Sequence, residues 1–217
     1  MVSLVSYTKG EVKLAKRFSW VVAGLPHGDD PVHDVDLMPT AACAVVPSRG
    51  SLVPGWTLVV PRRSAISIRD LQEVRRAEAL SVARQVSSSL KQFARDVVVF
   101  EHGAVAANSL LGCGVDQAHL HVVPLNIDLR GAVQMDSSVE WKVAPENDPW
   151  NDFPGDQEYF LLLDAYGALI GKPLRSESQY FRKIIASALG RSDEWDYREW
   201  PQYETVLRTV QLFEADG

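Results

Sequence analysis

From Leu111 to Pro124 the chain reads Leu-Gly-Cys-Gly-Val-Asp-Gln-Ala-His-Leu-His-Val-Val-Pro, and its second half alternates in polarity. A strand sends successive side chains to opposite faces. Extended from Gln117 to Val123, it puts Ala118, Leu120 and Val122 on one face and Gln117, His119 and His121 on the other. The apolar row requires a core beneath it. The polar row sets three nitrogen-bearing side chains side by side, directly after a turn containing Gly112 and Gly114. Backbone N–H groups in such a turn can form a concave anion site. Imidazole acts as a nucleophile or as a proton donor near neutral pH. This stretch therefore predicts a sheet with a core on one side and a site for an anionic ligand on the other.

The rest of the chain supplies partners for that strand. Trp20-Val21-Val22-Ala23, residues 41–46, residues 56–60 and residues 97–100 are short, rich in β-branched or aromatic residues, and bounded by Gly, Pro or charge, which predicts strands. Residues 47–55 are dense in turn formers and predict that the second and third of these runs are neighbours in an antiparallel sheet. Residues 26–39 are acidic and proline-flanked, a loop. One long helix is predicted over 69–94, with Leu71, Val74, Val82, Val86, Leu90 and Phe93 as its apolar stripe and Ser67 with Asp70 as a capping box. Residues 126–157 are polar and rich in Pro, Asp and Asn, and read as a long surface excursion. Residues 159–164 and 168–170 predict a strand pair across Ala165-Tyr166-Gly167, and two helices follow near 176–189 and 202–214. The expected fold class is α+β: an antiparallel sheet with a long helix packed on it, and an α/β extension at the C-terminal end. The expected organisation is a core over residues 1–125 and an extension over 126–217 packed on it, as one structural unit.

A 217-residue chain that is 46% hydrophobic has the material for one such core. Its formal net charge of −6 argues against a general nucleic-acid binder, which would carry a basic surface. Two cysteines, Cys43 and Cys113, make no disulfide framework and fit a reducing compartment. The first eighteen residues lack the apolar run of a secretory signal, and no stretch reaches the ~20 apolar residues of a membrane span. A cytoplasmic protein without membrane contact is expected. A metal is the competing use of the histidines: His119, His121, His102 and Cys113 could supply ligands, but their spacing matches no closed zinc pattern. No metal and no cofactor is expected.

Gln117-Ala118-His119-Leu120-His121-Val122-Val123 resembles the signature of the histidine-triad (HIT) superfamily of nucleotide hydrolases and transferases. Residues 51–63 are similar to the paired strands and turn before that family's long helix. Val97-Val98-Val99-Phe100-Glu101-His102-Gly103 resembles the strand and loop that carry its sugar- and phosphate-side contacts. Tyr159-Phe160-Leu161-Leu162-Leu163-Asp164 and Ser178-Gln179-Tyr180-Phe181-Arg182-Lys183 are similar to an extension of some larger bacterial members. Gln179 and Arg182 would share a helix face, either in phosphate binding or simply at the surface.

The resemblance implies a HIT-like fold and a two-step displacement without metal. His119 attacks the α-phosphorus of a nucleoside phosphate conjugate, giving a nucleotidyl-histidine that water or another acceptor resolves. His121 and Gln117 complete the catalytic row. Glu101, His102, Gly103, Cys113, Gly114, Gln179 and Arg182 are the implied substrate contacts, with amides near Cys113 and Gly114 stabilising charge on phosphate oxygens. The implied ligand is a nucleotide or nucleotide conjugate. Small family members also point to a homodimer, which the extension could alter. This chain departs from the family pattern at three places: Gln117 stands where the first triad histidine is expected, and Trp56 and Ser64 stand where many members have histidine. A glutamine cannot titrate. The alternative to an enzyme is therefore a catalytically degenerate nucleotide-binding protein.

Overall fold

The computed structural model describes residues 17–113 and 115–215. The reading of the first sixteen residues, and of Gly114, lies outside them. Seven strands form one sheet: β1 (Cys43–Pro47), β2 (Thr57–Pro61), β3 (Asp96–Gly103), β4 (Leu120–Leu125), β5 (Val139–Ala144), β6 (Tyr159–Asp164) and β7 (Gly167–Pro173). Their order across the sheet is β1-β2-β4-β3-β6-β7-β5. Every neighbouring pair is antiparallel. The helices are α1 (Ser19–Val22), α2 (Glu73–Leu90), α3 (Leu129–Met135), α4 (Tyr180–Ala188) and α5 (Tyr203–Ala215). This is an α+β fold in which the sheet runs without a break from the β1–β4 half into the C-terminal strands.

Alternation along the strands decides what each face carries. Val59, Val99, Leu120, Val122, Leu161 and Ile170 share one buried cluster with Leu80, Ala83, Val86 and Leu90 of α2. On the opposite face, Phe100, Val123, Leu162 and Leu169 pack with Leu129 and Val133 of α3 and with Tyr180, Phe181 and Ile185 of α4. Further along that face, Ala44, Val46, Leu58 and Val60 pack with Phe18, Trp20 and Val21. Burial of this apolar area, about 25 cal/mol per Å², is the main favourable term holding the layers together. The interval between the α1 cluster and the α4 cluster lies over the start of β4, where His121 sits with His119 just before it.

Four sequence expectations need correction. Trp20-Val21-Val22-Ala23 is helical at Ser19–Val22, not a strand. Four apolar residues carry no usable period, and tertiary packing decides: the turn buries Trp20 and Val21 together and leaves Val22 39% exposed. The long helix is shorter at both ends. Ser67 N–H donates to the Asp70 carboxylate, but this box opens a 3₁₀ turn at Ile68–Asp70 rather than α2, and a second 3₁₀ turn covers Lys91–Phe93. Val74, in the first turn of α2, and Phe93, beyond its last residue, are exposed, and Ala79, Leu80 and Ala83 complete the buried stripe. The histidine strand starts at Leu120, so Gln117, Ala118 and His119 lead into β4 rather than belonging to it. Residues 126–157 are not a surface excursion: they contain α3 and the edge strand β5, and they bury Trp150 and Phe153.

That last segment is fastened by Glu101. Its carboxylate, 2% exposed on the α2 side of β3, accepts from Ile68 N–H at 2.7 Å, Trp150 Nε1–H at 2.9 Å and Tyr159 O–H at 2.8 Å. Burial pushes the carboxyl up to about 7, outweighing these hydrogen bonds. Glu101 and Gly103 point away from the histidines. A Cβ on Gly103 would lie 2.0 Å from the Tyr159 ring, so glycine here is required by the closeness of β6. Gly103→Ala is expected to destabilise the fold by about 3 kcal/mol, read as a lower denaturation midpoint with an unchanged m-value.

Candidate active site

The cleft over β4 has a volume of about 480 Å³, its open mouth included. His119, His121 and His102 form its floor. Arg17 and Phe18 close one wall, Gln179, Arg182 and Tyr197 the other, Ser48, Arg49 and Leu58 line the β1–β2 side, and Gly112, Cys113 and Val115 come from the β3–β4 loop. The ring centroids of His119 and His121 are 5.0 Å apart, and those of His102 and His121 5.8 Å apart.

Hydrogen bonds fix the tautomers of both His119 and His121. His119 Nδ1 lies 2.8 Å from the Gln117 carbonyl oxygen. A carbonyl only accepts, so Nδ1 carries the proton and Nε2 keeps its lone pair. Burial, aided by the charges of Arg17 and Arg182, lowers the His119 pKa to about 4. His121 has the opposite arrangement. The Trp56 indole N–H donates to His121 Nδ1 at 3.0 Å, which leaves the imidazole proton on Nε2. Burial holds His121 well below the ordinary histidine range, reinforced by His119, His102, Arg182 and Arg17. His102 is lowered to about 3, first by burial and then by His119 and Arg182, and its Nε2 accepts a long bond, 3.5 Å, from Phe181 N–H. At neutral pH the floor is three uncharged imidazoles, one presenting a lone pair and its neighbour an N–H.

The charge in the cleft comes from arginine. Arg17 pairs with Asp34 at 2.8 Å, and Arg49 pairs with the same carboxylate at 2.8 Å. Arg182 is 3% exposed, and the acceptors it uses are neutral: the Gly50 carbonyl at 2.6 Å, the Arg49 carbonyl at 2.6 Å and Ser48 Oγ at 2.9 Å. Its guanidinium lies 4.4 Å over the Trp56 ring. Burial lowers it to about 10, so it remains a cation at neutral pH. A buried cation bonded only to neutral acceptors favours an anion in the cleft beside it.

The expected site residues separate accordingly. His119, His121, His102, Cys113, Gln179 and Arg182 converge on the cleft. Gln117 does not line it: its side-chain amide donates to the Pro61 carbonyl at 3.2 Å and the Arg63 carbonyl at 2.9 Å, anchoring the lead-in to β4 on the end of β2. Glu101 and Gly103 serve the fold on the other side of β3. The Cys113 N–H is spent on the Leu110 carbonyl at 3.2 Å, while the Cys113 carbonyl accepts from Tyr197 O–H at 2.9 Å. Gln179 is an N-cap with φ +58°, its amide bonded to Asp196 at 3.0 Å; it and Arg182 are buried rather than on a surface helix face. Gly114 lies outside the described residues. Among those described, no three His, Cys, Asp or Glu side chains gather as a metal would need, and no helix is long and apolar enough to cross a membrane.

Arg17, Phe18, Ser48, Arg49 and Tyr197 were not anticipated. Ser48-Arg49 sits in the turn-rich link, and Tyr197 in Trp195-Asp196-Tyr197-Arg198; both carry polar or aromatic residues beyond what a connector needs. Arg17 and Phe18 gave no signal.

Comparison with known proteins agrees with this geometry in one respect. The HIT domain model matches residues 37–127, which include β1 to β4 and α2. Among solved structures, the chain is similar to yeast Ap4A phosphorylase Apa2 in complex with AMP, at 17% identity and a TM-score of 0.43 over 70% of this chain and 66% of that one. It is similar also to yeast Apa2 in complex with Ap4A, at 13% identity and a TM-score of 0.40 over 65% of this chain and 60% of that one. The chain thus spans less than two thirds of either structure's length. No curated protein matches it. Residues 37–127 thus match the HIT domain, the family that the histidine strand resembles.

Proposed function

We propose that this chain is a nucleotide-processing enzyme in which His119 Nε2 attacks the α-phosphorus of a nucleoside phosphate conjugate. The observation that carries this reading is the pair of opposed tautomers at His119 and His121. His119 offers an unprotonated Nε2 at the cleft, with Nδ1–H held by the Gln117 carbonyl. In the first step the lone pair forms an N–P bond while the bond to the leaving group breaks with its electrons. The imidazolium so formed keeps Nδ1–H on a carbonyl dipole aligned to stabilise it. Water or another acceptor then attacks phosphorus, and the N–P electrons return to Nε2. His121 Nε2–H can donate to a phosphate oxygen, and Arg182, hydrogen-bonded only to neutral acceptors, supports the negative charge. Phe18, Leu58 and Val115 give the cleft an apolar wall suited to the nucleoside.

The test is incubation with a panel of adenylated and guanylated compounds, followed by mass spectrometry of the intact protein. A nucleotide-sized adduct absent from His119→Ala supports the reading. Substrate breakdown undiminished in that variant overturns it, and binding without turnover by the wild-type chain identifies a degenerate binding protein instead. The pH dependence supplies a second expectation. Because the His119 pKa is lowered to about 4, the neutral nucleophile persists far into acid. Adduct formation should stay level from about pH 8 to about pH 5 and fall with a midpoint near 4, whereas an ordinary histidine would lose it near 6.5. Rapid-quench rates across that range measure it.

A further inference from the structure

Trp56 packs where nothing in the fold requires a hydrogen-bond donor, yet its N–H meets a catalytic-face histidine. The residue is fully buried. Its ring is held from one side by Arg182, 4.4 Å away, which is itself anchored on three acceptors of the 48–50 turn. The Phe100 ring meets it edge-on at 5.9 Å, so the indole has no room to swing off His121. An indole N–H donates and never accepts. His121 Nδ1 therefore cannot hold a proton while Trp56 is in place, and the imidazole can neither become a cation nor relay a proton from one nitrogen to the other.

We propose that Trp56 is a positioning and specificity-determining residue: by fixing His121 as a neutral Nε2–H donor, it restricts the site to leaving groups that depart as anions, phosphates and phosphoanhydrides, and excludes those that must be protonated as they leave, such as amines. This rests on His119 as the nucleophile. When His119 Nε2 bonds to phosphorus, the electrons of the breaking bond go to the leaving atom. A phosphate oxygen carries them as a stable anion beside Arg182. An amine nitrogen would leave as an amide anion unless a proton arrived, and among the described residues the cleft has no group to deliver one. His121 could give up Nε2–H only by becoming an imidazolate. His119 Nε2 is bonded to phosphorus at that moment, and its Nδ1–H is bonded to Gln117 O. His102 is uncharged at neutral pH for want of solvent. The Tyr197 hydroxyl is committed to the Cys113 carbonyl, the Cys113 thiol pKa is raised by burial, and among the described residues no carboxylate lines the cleft. The cations facing His121, Arg182 from α4 and Arg17 from the segment before α1, oppose its protonation further.

Two measurements on the full chain test this. The first is ¹⁵N NMR of histidine-labelled protein. An unprotonated Nδ1 on His121, unchanged from about pH 8 to 5, supports the lock; a protonated Nδ1, or titration near the ordinary value, overturns it. The second compares kcat/KM for two substrates sharing one nucleotide, one with a phosphate leaving group and one with an amine. Trp56→Phe keeps a ring beneath Arg182 but removes the donor, and Trp56→His offers a group that can also accept. Either should lower the phosphate-to-amine preference by at least about 10-fold; a preference unchanged in both overturns the proposal. If the variants do not fold, the wild-type NMR result decides alone. Failure of the underlying reading looks different: no turnover of either substrate by the wild-type chain removes His119 as nucleophile and the preference with it. A protonated His121 Nδ1 in a chain that still forms its adduct removes only the role of Trp56.

Discussion

Replacing His119 with alanine should lower turnover of a nucleotide substrate by about 10³-fold or more, with the fold intact. The size follows from what the side chain does in the proposed scheme. It supplies the bonding electrons, so its loss removes the covalent route altogether rather than weakening one interaction within it. What survives is the cleft, its arginines and the His121 donor, which still bind and polarise a phosphate. Binding of nucleotide should accordingly change little while kcat collapses. The side chain is only part-buried, and its hydrogen bond is to the Gln117 carbonyl in the lead-in to β4. Its truncation removes one hydrogen bond and no core packing, and the thermal midpoint should move by no more than a few degrees. A kcat loss of tenfold or less would mean that the nucleophile is water or another residue.

Glu101→Ala should instead attack the fold, at a cost of about 3–5 kcal/mol. Three donors converge on that carboxylate from three different segments: Ile68 before α2, Trp150 in the 145–158 segment, and Tyr159 at the start of β6. Alanine leaves all three buried without an acceptor and opens a cavity. The pH dependence carries a sign. Burial raises the Glu101 pKa from 4.5 to about 7. The folded state therefore retains a proton that the unfolded chain releases above 4.5. This group's contribution is fully present below 4.5 and declines as the pH rises to 7. The difference in stability between wild type and Glu101→Ala should thus be larger at about pH 5 than at about pH 8. Urea denaturation at the two values measures it, and equal differences would mean that the three hydrogen bonds hold the carboxyl ionised in the fold.

The contrast between His119 and Glu101 also shows what the sequence could reveal. Alternation from Ala118 to Val122 assigned the α2 face, and the structure buries those three residues against that helix. The same period explains why His102 reaches the cleft and Glu101 does not: they are neighbours in a strand, and a resemblance read by segment treats them alike. Val74 and Phe93 matched the helical period but are exposed, one in the first turn of α2 and the other beyond its last residue, so periodicity overran the helix's buried stretch. Trp20 to Ala23 was too short to have a period at all. In residues 126–157, dense polar residues hid a strand whose outer edge faces solvent, where polar residues belong. The wall of the cleft was the least legible part. Arg17, Ser48, Arg49 and Tyr197 come from four separate segments, and only the closed fold makes them neighbours. Trp56 was visible as a departure from the family pattern, but its consequence, a fixed tautomer on His121, depends on a 3.0 Å distance that no sequence states.

The configuration at phosphorus tests the covalent account most directly. Each in-line displacement inverts the α-phosphorus, so attack by His119 followed by attack of water must retain it. Hydrolysis of a nucleoside α-thiophosphate conjugate of defined configuration in ¹⁸O-enriched water, with stereochemical assignment of the thiophosphate product, should show retention. Inversion would mean a single displacement by water and would contradict a nucleotidyl-His119 intermediate.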